Sequence, residues 1–142
     1  METLAIKKFF RNKKVIVTGH TGFKGSWLSY WLFKNGANVI GISNNIPTNP
    51  SHYKSLKLKN NIKEYFINIA HFKKLDNLIR KIKPDFIFHL AAQSIVKKSF
   101  SEPLNTWNSN TFGTLSLLDS LRKIKRNIAV VLITSDKSYK NL

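Results

Sequence analysis

Apolar residues follow two rhythms along this chain. Short continuous runs occur at Val15-Ile16-Val17, Val39-Ile40-Gly41-Ile42, Tyr65-Phe66-Ile67, Phe86-Ile87-Phe88-His89-Leu90 and residues 128–133. They do not alternate with polar residues, which predicts strands buried on both faces. Between the runs the spacing is helical. From Gly25 to Asn35 the positions Trp27, Leu28, Trp31 and Leu32 recur on one face, and Gly36 is a candidate C-cap. Residues 71–83 place Phe72, Leu75, Leu78, Ile79 and Ile82 together, and Pro84 ends that segment. A third helix is expected to begin at Pro103, with Ser101 near its cap, and to run through Trp107, Leu115, Leu118 and Leu121 to Ile124. Residues 1–12 read as a polar lead-in, with a short helix carrying Ile6, Phe9 and Phe10. The stretch SNNIPTNPS (43–51) is a loop, since strand–helix alternation resumes beyond it.

Strands alternating with helices, and strands apolar throughout, predict a parallel sheet covered on both faces. Right-handed crossovers then favour a doubly wound α/β sheet of about five strands in the order 3-2-1-4-5. A chain of 142 residues suffices for one domain, assigned to residues 13–142.

Composition narrows the functional classes. No apolar run is long enough to span a membrane, and residues 1–14 lack the apolar core of a secretory signal. There is no cysteine, which removes thiolate metal sites and cysteine nucleophiles and suits a cytoplasmic location. Four scattered histidines make no metal site. Lys and Arg outnumber Asp and Glu by 24 to 7, a net charge of +17. These lysines are spread along the chain, and Asn, Ile and Phe, which share AT-rich codons with Lys, are also abundant. Genome composition is thus one source able to produce this charge, and no specific nucleic-acid partner is expected.

Chemistry concentrates first at Thr18-Gly19-His20-Thr21-Gly22-Phe23-Lys24-Gly25. A buried strand precedes this turn and a helix follows, the setting of a Rossmann dinucleotide-binding fingerprint. Gly19 permits the tight turn, Gly22 lets backbone approach a pyrophosphate, and Gly25 lets the helix pack on the strand. The helix N-terminus adds free N–H groups and partial positive charge. An acidic residue at the end of the second strand would favour NAD, but the chain has Ser43-Asn44-Asn45, with no arginine for a 2′-phosphate. That position leaves NAD and NADP both open.

Four segments, VTGHTGFKGSWLS (17–29), PTNPS (47–51), HLAAQSIVKKSF (89–100) and TSDKSY (134–139), resemble the extended short-chain dehydrogenase/reductases, most closely the sugar-nucleotide 4,6-dehydratases of the CDP-glucose type. The resemblance runs from Lys13 onward and covers only the N-terminal part of the family pattern. It implies NAD as cofactor and a nucleotide-sugar substrate, with net loss of water giving a 4-keto-6-deoxy sugar. By this likeness Gly19, Gly22, Phe23 and Gly25 hold the pyrophosphate, and Leu90, Ala91 and Ala92 line the cofactor. Asn110 lies near it. Asn68 stands where the family usually has an aspartate pairing with adenine, a departure that weakens that contact. Ser135 would hydrogen-bond the sugar C4 oxygen, Asp136 would protonate the leaving hydroxyl, and Lys137 would take the C5 proton. A lysine can act as that base only with a lowered pKa.

The family also uses a Tyr-x-x-x-Lys pair after the fifth strand, and these residues are absent from the chain. The one formal match, Tyr53 to Lys57, falls between the second and third strands and reads as coincidence. The chain alone is therefore expected not to complete the reaction, and one sheet edge and one helix layer are expected to lie uncovered. A homodimer is implied only for a protein completed by a C-terminal part. His20 is expected to shape the turn, His89 to be a packed strand-end residue, and the tryptophans to be core or interface. An epimerase of the same family, or a non-catalytic nucleotide-binding remnant, are the alternative readings.

Overall fold

The computed structural model describes residues 2–135. Its centre is a five-stranded parallel sheet of β1 (Lys14–Thr18), β2 (Asn38–Ser43), β3 (Lys63–Phe66), β4 (Phe86–His89) and β5 (Ala129–Leu132), in the expected order β3-β2-β1-β4-β5. Ile16 pairs with Ile40 on one side and Ile87 on the other, which puts β1 in the middle. Val15, Ile16 and Val17 are wholly buried because both faces of that strand are covered. Val15 and Val17 meet Leu32 and Phe10 on one face, while Ile16 meets Leu75, Ile79 and Leu117 on the other. Each such side chain contributes roughly 2 kcal/mol by leaving water.

The first face is covered by α1 (Glu2–Phe10) and α2 (Phe23–Lys34), the second by α4 (Phe72–Ile82) and α7 (Gly113–Leu121). α2 ends where the sequence indicated. Gly36 takes φ +83°, its N–H reaches the Phe33 carbonyl, and the Ala37 N–H reaches the Leu32 carbonyl, closing a Schellman motif.

The face that α2 turns inward differs from the expected one. Gly25, Ser26, Ser29 and Leu32 are buried, whereas Trp27 and Trp31 are 50% and 42% exposed. The helix lies too close to the turn before it for large rings to fit between. Trp27 instead stacks on His52 at 4.6 Å between ring centres, and Trp31 meets Phe10 edge-on at 5.8 Å.

The β2–β3 connection carries a short α3 (His52–Ser55), capped by the Ser51 hydroxyl accepting from the Lys54 N–H, and a 3-10 turn at Leu58–Asn60. β3 begins two residues earlier than the apolar run suggested, although the Ile67 N–H still bonds the Ser43 carbonyl. The helix expected from Pro103 to Ile124 is three pieces: α6 (Pro103–Trp107), a π-helical turn at Asn108–Phe112, and α7. Before them stands α5 (Val96–Ser101), which the apolar pattern did not show. Ser101 is the last residue of α5 rather than a cap; Glu102 occupies the cap of α6, its side chain bonding Asn105 rather than the first helical N–H groups.

Candidate functional site

The carboxyl ends of the strands bring two backbone segments face to face. The first is the glycine turn. Gly19 adopts φ +74° and donates its N–H to the Ile42 carbonyl at 2.7 Å. A Cβ on Gly19 would stand 2.8 Å from the Ala91 nitrogen, and one on Gly25 would overlap the Gly19 carbonyl oxygen. Gly22 is less confined, with a Cβ there 3.3 Å from that oxygen. Gly22 caps α2 and no side chain does, so the first N–H groups of the helix have no intrahelical partner. Phe23, the first residue of α2, is 70% exposed.

Behind the turn lies a buried polar cluster. His20 is fully buried, and its ring occupies the space a Cβ on Gly41 would need. Its Nδ1 is 2.8 Å from the Ser43 hydroxyl and its Nε2 is 3.2 Å from Glu64 Oε1. Tyr53 donates its hydroxyl to Glu64 Oε2 at 2.8 Å. Burial lowers the His20 pKa, with the Glu64 charge and hydrogen bond opposing it; burial and Glu64 together raise that of Tyr53. Thr21 donates its hydroxyl to the Asn45 carbonyl at 2.6 Å, tying the turn to the chain after β2. His20 thus shapes the turn, and Tyr53 of the formal Tyr-x-x-x-Lys match is spent on Glu64. Glu64 itself carried no signal in the sequence, since its partners are distant along the chain. Beyond this cluster a cleft of about 430 Å³ is walled by Ile46, Leu58 and Phe66, with Lys54, Lys57 and Lys59 at its lining.

The second segment runs from Leu90 to Gln93. The Leu90 and Ala91 N–H groups donate to Thr18 Oγ1 at 3.2 and 3.1 Å, which holds Ala91 against Gly19. Ala92 is exposed. Asn110, in the π-helical turn, accepts from the Gln93 N–H at 2.7 Å and donates to the Gln93 carbonyl at 3.0 Å. Both ends of its amide are therefore engaged on backbone. π-Helical turns inside helices recur at functional sites. His89, buried to 4% exposure, lies between Thr18 Oγ1 at 2.8 Å and Thr114 Oγ1 at 3.0 Å. Burial pushes its pKa down to about 4.

The remaining expected residues are more dispersed. Asn68 follows β3 and is half-buried, its Oδ1 accepting from the Ala70 N–H at 3.0 Å. Ser135 is exposed, three residues past the end of β5, at the same edge as Leu90. Asp136 and Lys137 lie outside the described residues. Among the described residues there is no group of His, Asp and Glu able to hold a metal, and no helix is long and apolar enough to cross a membrane.

Comparison with known proteins gives this edge a context. A CDP-glucose 4,6-dehydratase of Salmonella typhimurium is 44% identical over 135 residues, 95% of this chain and 38% of that protein. A GDP-mannose 4,6-dehydratase of Yersinia enterocolitica is 32% identical across 78% of this chain and 31% of its own length. Among solved structures, an epimerase from Methanothermobacter thermautotrophicus superposes with a TM-score of 0.83 at 26% identity, covering 100% of this chain and 41% of that one. An enzyme of Bordetella bronchiseptica in complex with NAD+ superposes with a TM-score of 0.74 at 28% identity, covering 87% and 36%. The chain thus spans about two fifths of the length of such relatives or less. The family model described as GDP-mannose 4,6 dehydratase matches residues 16–141, beginning inside β1 and taking in every later strand, and the chain belongs to that family.

Proposed function

We propose that residues 13–142 form the cofactor-binding part of a nucleotide-sugar 4,6-dehydratase, with NAD as its cofactor and a CDP-glucose-type sugar nucleotide as substrate. The observation that carries this reading is the turn from Gly19 to Gly25. There, backbone approaches backbone more closely than any side chain permits. The turn also lies where the strand order reverses, between β1 and β4, the usual place for a ligand in an open parallel sheet. The 44% identity to a CDP-glucose 4,6-dehydratase supports the substrate class, and the NAD+ complex of a structural neighbour supports the cofactor.

The residues suit such a cofactor. Gly19, Gly22, Phe23 and Gly25 would hold the pyrophosphate through backbone N–H groups at the start of α2. Asn68 would meet the adenine, using the acceptor capacity left beside its bond to Ala70. Leu90, Ala91 and Ala92 would line the opposite wall, and Asn110 would hold that wall in place through Gln93. NAD, when bound, supplies a hydride acceptor that becomes the donor on return. Ser135 would hydrogen-bond the sugar C4 oxygen, Asp136 would protonate the departing hydroxyl, and Lys137 would remove the C5 proton. No Tyr-x-x-x-Lys follows β5 in the chain, so by this reading it holds cofactor without completing turnover.

Titration of the chain with NAD and with NADP at physiological salt tests the reading. Saturable NAD binding, and no conversion of CDP-glucose by the chain alone, are the expected results. Failure to bind either dinucleotide would overturn the cofactor assignment, and formation of the 4-keto sugar would overturn the statement about turnover.

A further inference from the structure

The hydrogen bonds around His89 favour one arrangement of protons. Thr18 Oγ1 accepts the Ala91 N–H at 3.1 Å and shares the Leu90 N–H, at 3.2 Å, with the Thr18 carbonyl at 3.1 Å. With these N–H groups on its oxygen, its own proton is directed to His89 Nδ1, 2.8 Å away. On the other side, Thr114 gives its hydroxyl proton to the Asn110 carbonyl at 2.7 Å. Thr114 Oγ1 must therefore accept from His89 Nε2, at 3.0 Å. That arrangement makes the imidazole neutral, bare at Nδ1 and protonated at Nε2. A proton on Nδ1 would compete with those N–H groups for the Thr18 hydroxyl oxygen.

The direction of donation continues past the histidine. It runs from the Ala91 N–H through Thr18, His89 and Thr114 to the Asn110 carbonyl, while the Asn110 amide grips the Gln93 N–H and carbonyl at 2.7 and 3.0 Å. Gln93 in turn accepts from the Ile95 N–H at 2.7 Å and donates to Thr106 at 3.0 Å. The series begins and ends on one short segment, residues 91–93, the wall that closes against Gly19.

We infer that Thr18, His89 and Thr114 form a one-directional hydrogen-bond relay that holds the Leu90–Gln93 wall at its separation from the glycine turn, with His89 as a positioning residue acting only as the Nε2–H tautomer. The inference rests on the cofactor reading above for what binds against this wall. The relay itself stands on geometry. Every member has its donors and acceptors matched, so exchanging one for an apolar isostere strands a buried partner.

Thr114→Val keeps the shape of the side chain and removes the acceptor; Thr114→Ser restores it. Removing the bonds to His89 and to the Asn110 carbonyl together is expected to weaken NAD binding by about tenfold, and the serine variant to recover it. Hydrogen exchange at the Ala91 and Gln93 amides should quicken in Thr114→Val and return in Thr114→Ser. Nitrogen NMR of the parent chain at neutral pH should show His89 protonated at Nε2 alone. Equal NAD affinity in parent, Val and Ser variants would overturn the positioning role, and a proton on Nδ1 would overturn the relay. If the parent binds no NAD, the cofactor reading fails by itself; the tautomer and the exchange at Ala91 then uphold or reject the relay without it.

Discussion

The two segments that meet at the carboxyl edge of the sheet are built by different means. The glycine turn is shaped by backbone contact, since Gly19 and Gly25 occupy positions where a Cβ would meet main-chain atoms of Ala91 and Gly19. The facing wall, residues 90–93, is held by side chains reaching across 17 to 73 residues: Thr18 to Ala91, His89 to Thr114, Asn110 to Gln93. One wall fails when atoms are added, the other when hydrogen bonds are removed or reprotonated. That contrast shows how two facing segments can both be fixed without sharing a mechanism of rigidity.

The strongest way to break the comparison is to add one carbon to the tighter glycine. Gly25→Ala puts a Cβ into the Gly19 carbonyl, which only backbone movement can relieve. A loss of about 3 kcal/mol in urea unfolding is expected, together with loss of NAD binding. Full stability in that variant would show that the first wall is not set by backbone contact.

Acid should act on the second wall. Folded His89 has its pKa pushed down to about 4 by burial, below the ordinary histidine value near 6.5. The unfolded chain therefore binds the proton first as pH falls. The stabilisation from keeping His89 neutral is complete above about pH 6.5 and drains away towards pH 4, by about 3 kcal/mol in all. His20 shifts in the same direction, with Glu64 opposing it. Urea unfolding followed between pH 7 and 4.5 measures the loss; a flat profile would contradict a neutral buried His89.

Asn110→Ala strands the Gln93 N–H and carbonyl and is expected to lower stability by about 1–2 kcal/mol. Thermal melting and amide exchange at Gln93 report it. The smallest stability effect belongs to Gly22→Ala, where the nearest atom to a Cβ is 3.3 Å away and α2 trades a glycine cap for a poorer one. About 0.5 kcal/mol is expected. A larger fall in NAD affinity than in stability would mark Gly22 as a position of close approach for the pyrophosphate. Equal falls would make it merely a cap.

The parts of this architecture legible in the sequence are those decided within a few residues. Val15-Ile16-Val17 reads as a central strand because an apolar run without alternation must be covered twice. Gly36 reads as a helix stop because its neighbours already complete the turn. Trp27 and Trp31 misled in the opposite way, since helical spacing shows that a face exists but not which face turns inward. Gly25 and Ser29 took that face because the helix comes nearly into backbone contact with the turn, and size outweighed hydrophobicity. The break at Asn108–Phe112 had no local signal either. Its central residue, Asn110, is held by Gln93, 17 positions earlier.

By itself the sequence determined an alternation of strands and helices, a doubly wound order and the glycines of the turn, because each follows from spacing, chain handedness or the absence of a Cβ. Only the tertiary structure decided that His20 is sealed beneath Gly41, that Tyr53 is spent on Glu64, and that His89 is enclosed between the hydroxyls of Thr18 and Thr114. Those outcomes depend on which donors and acceptors meet once the chain has folded, and distance along the sequence carries no record of such meetings.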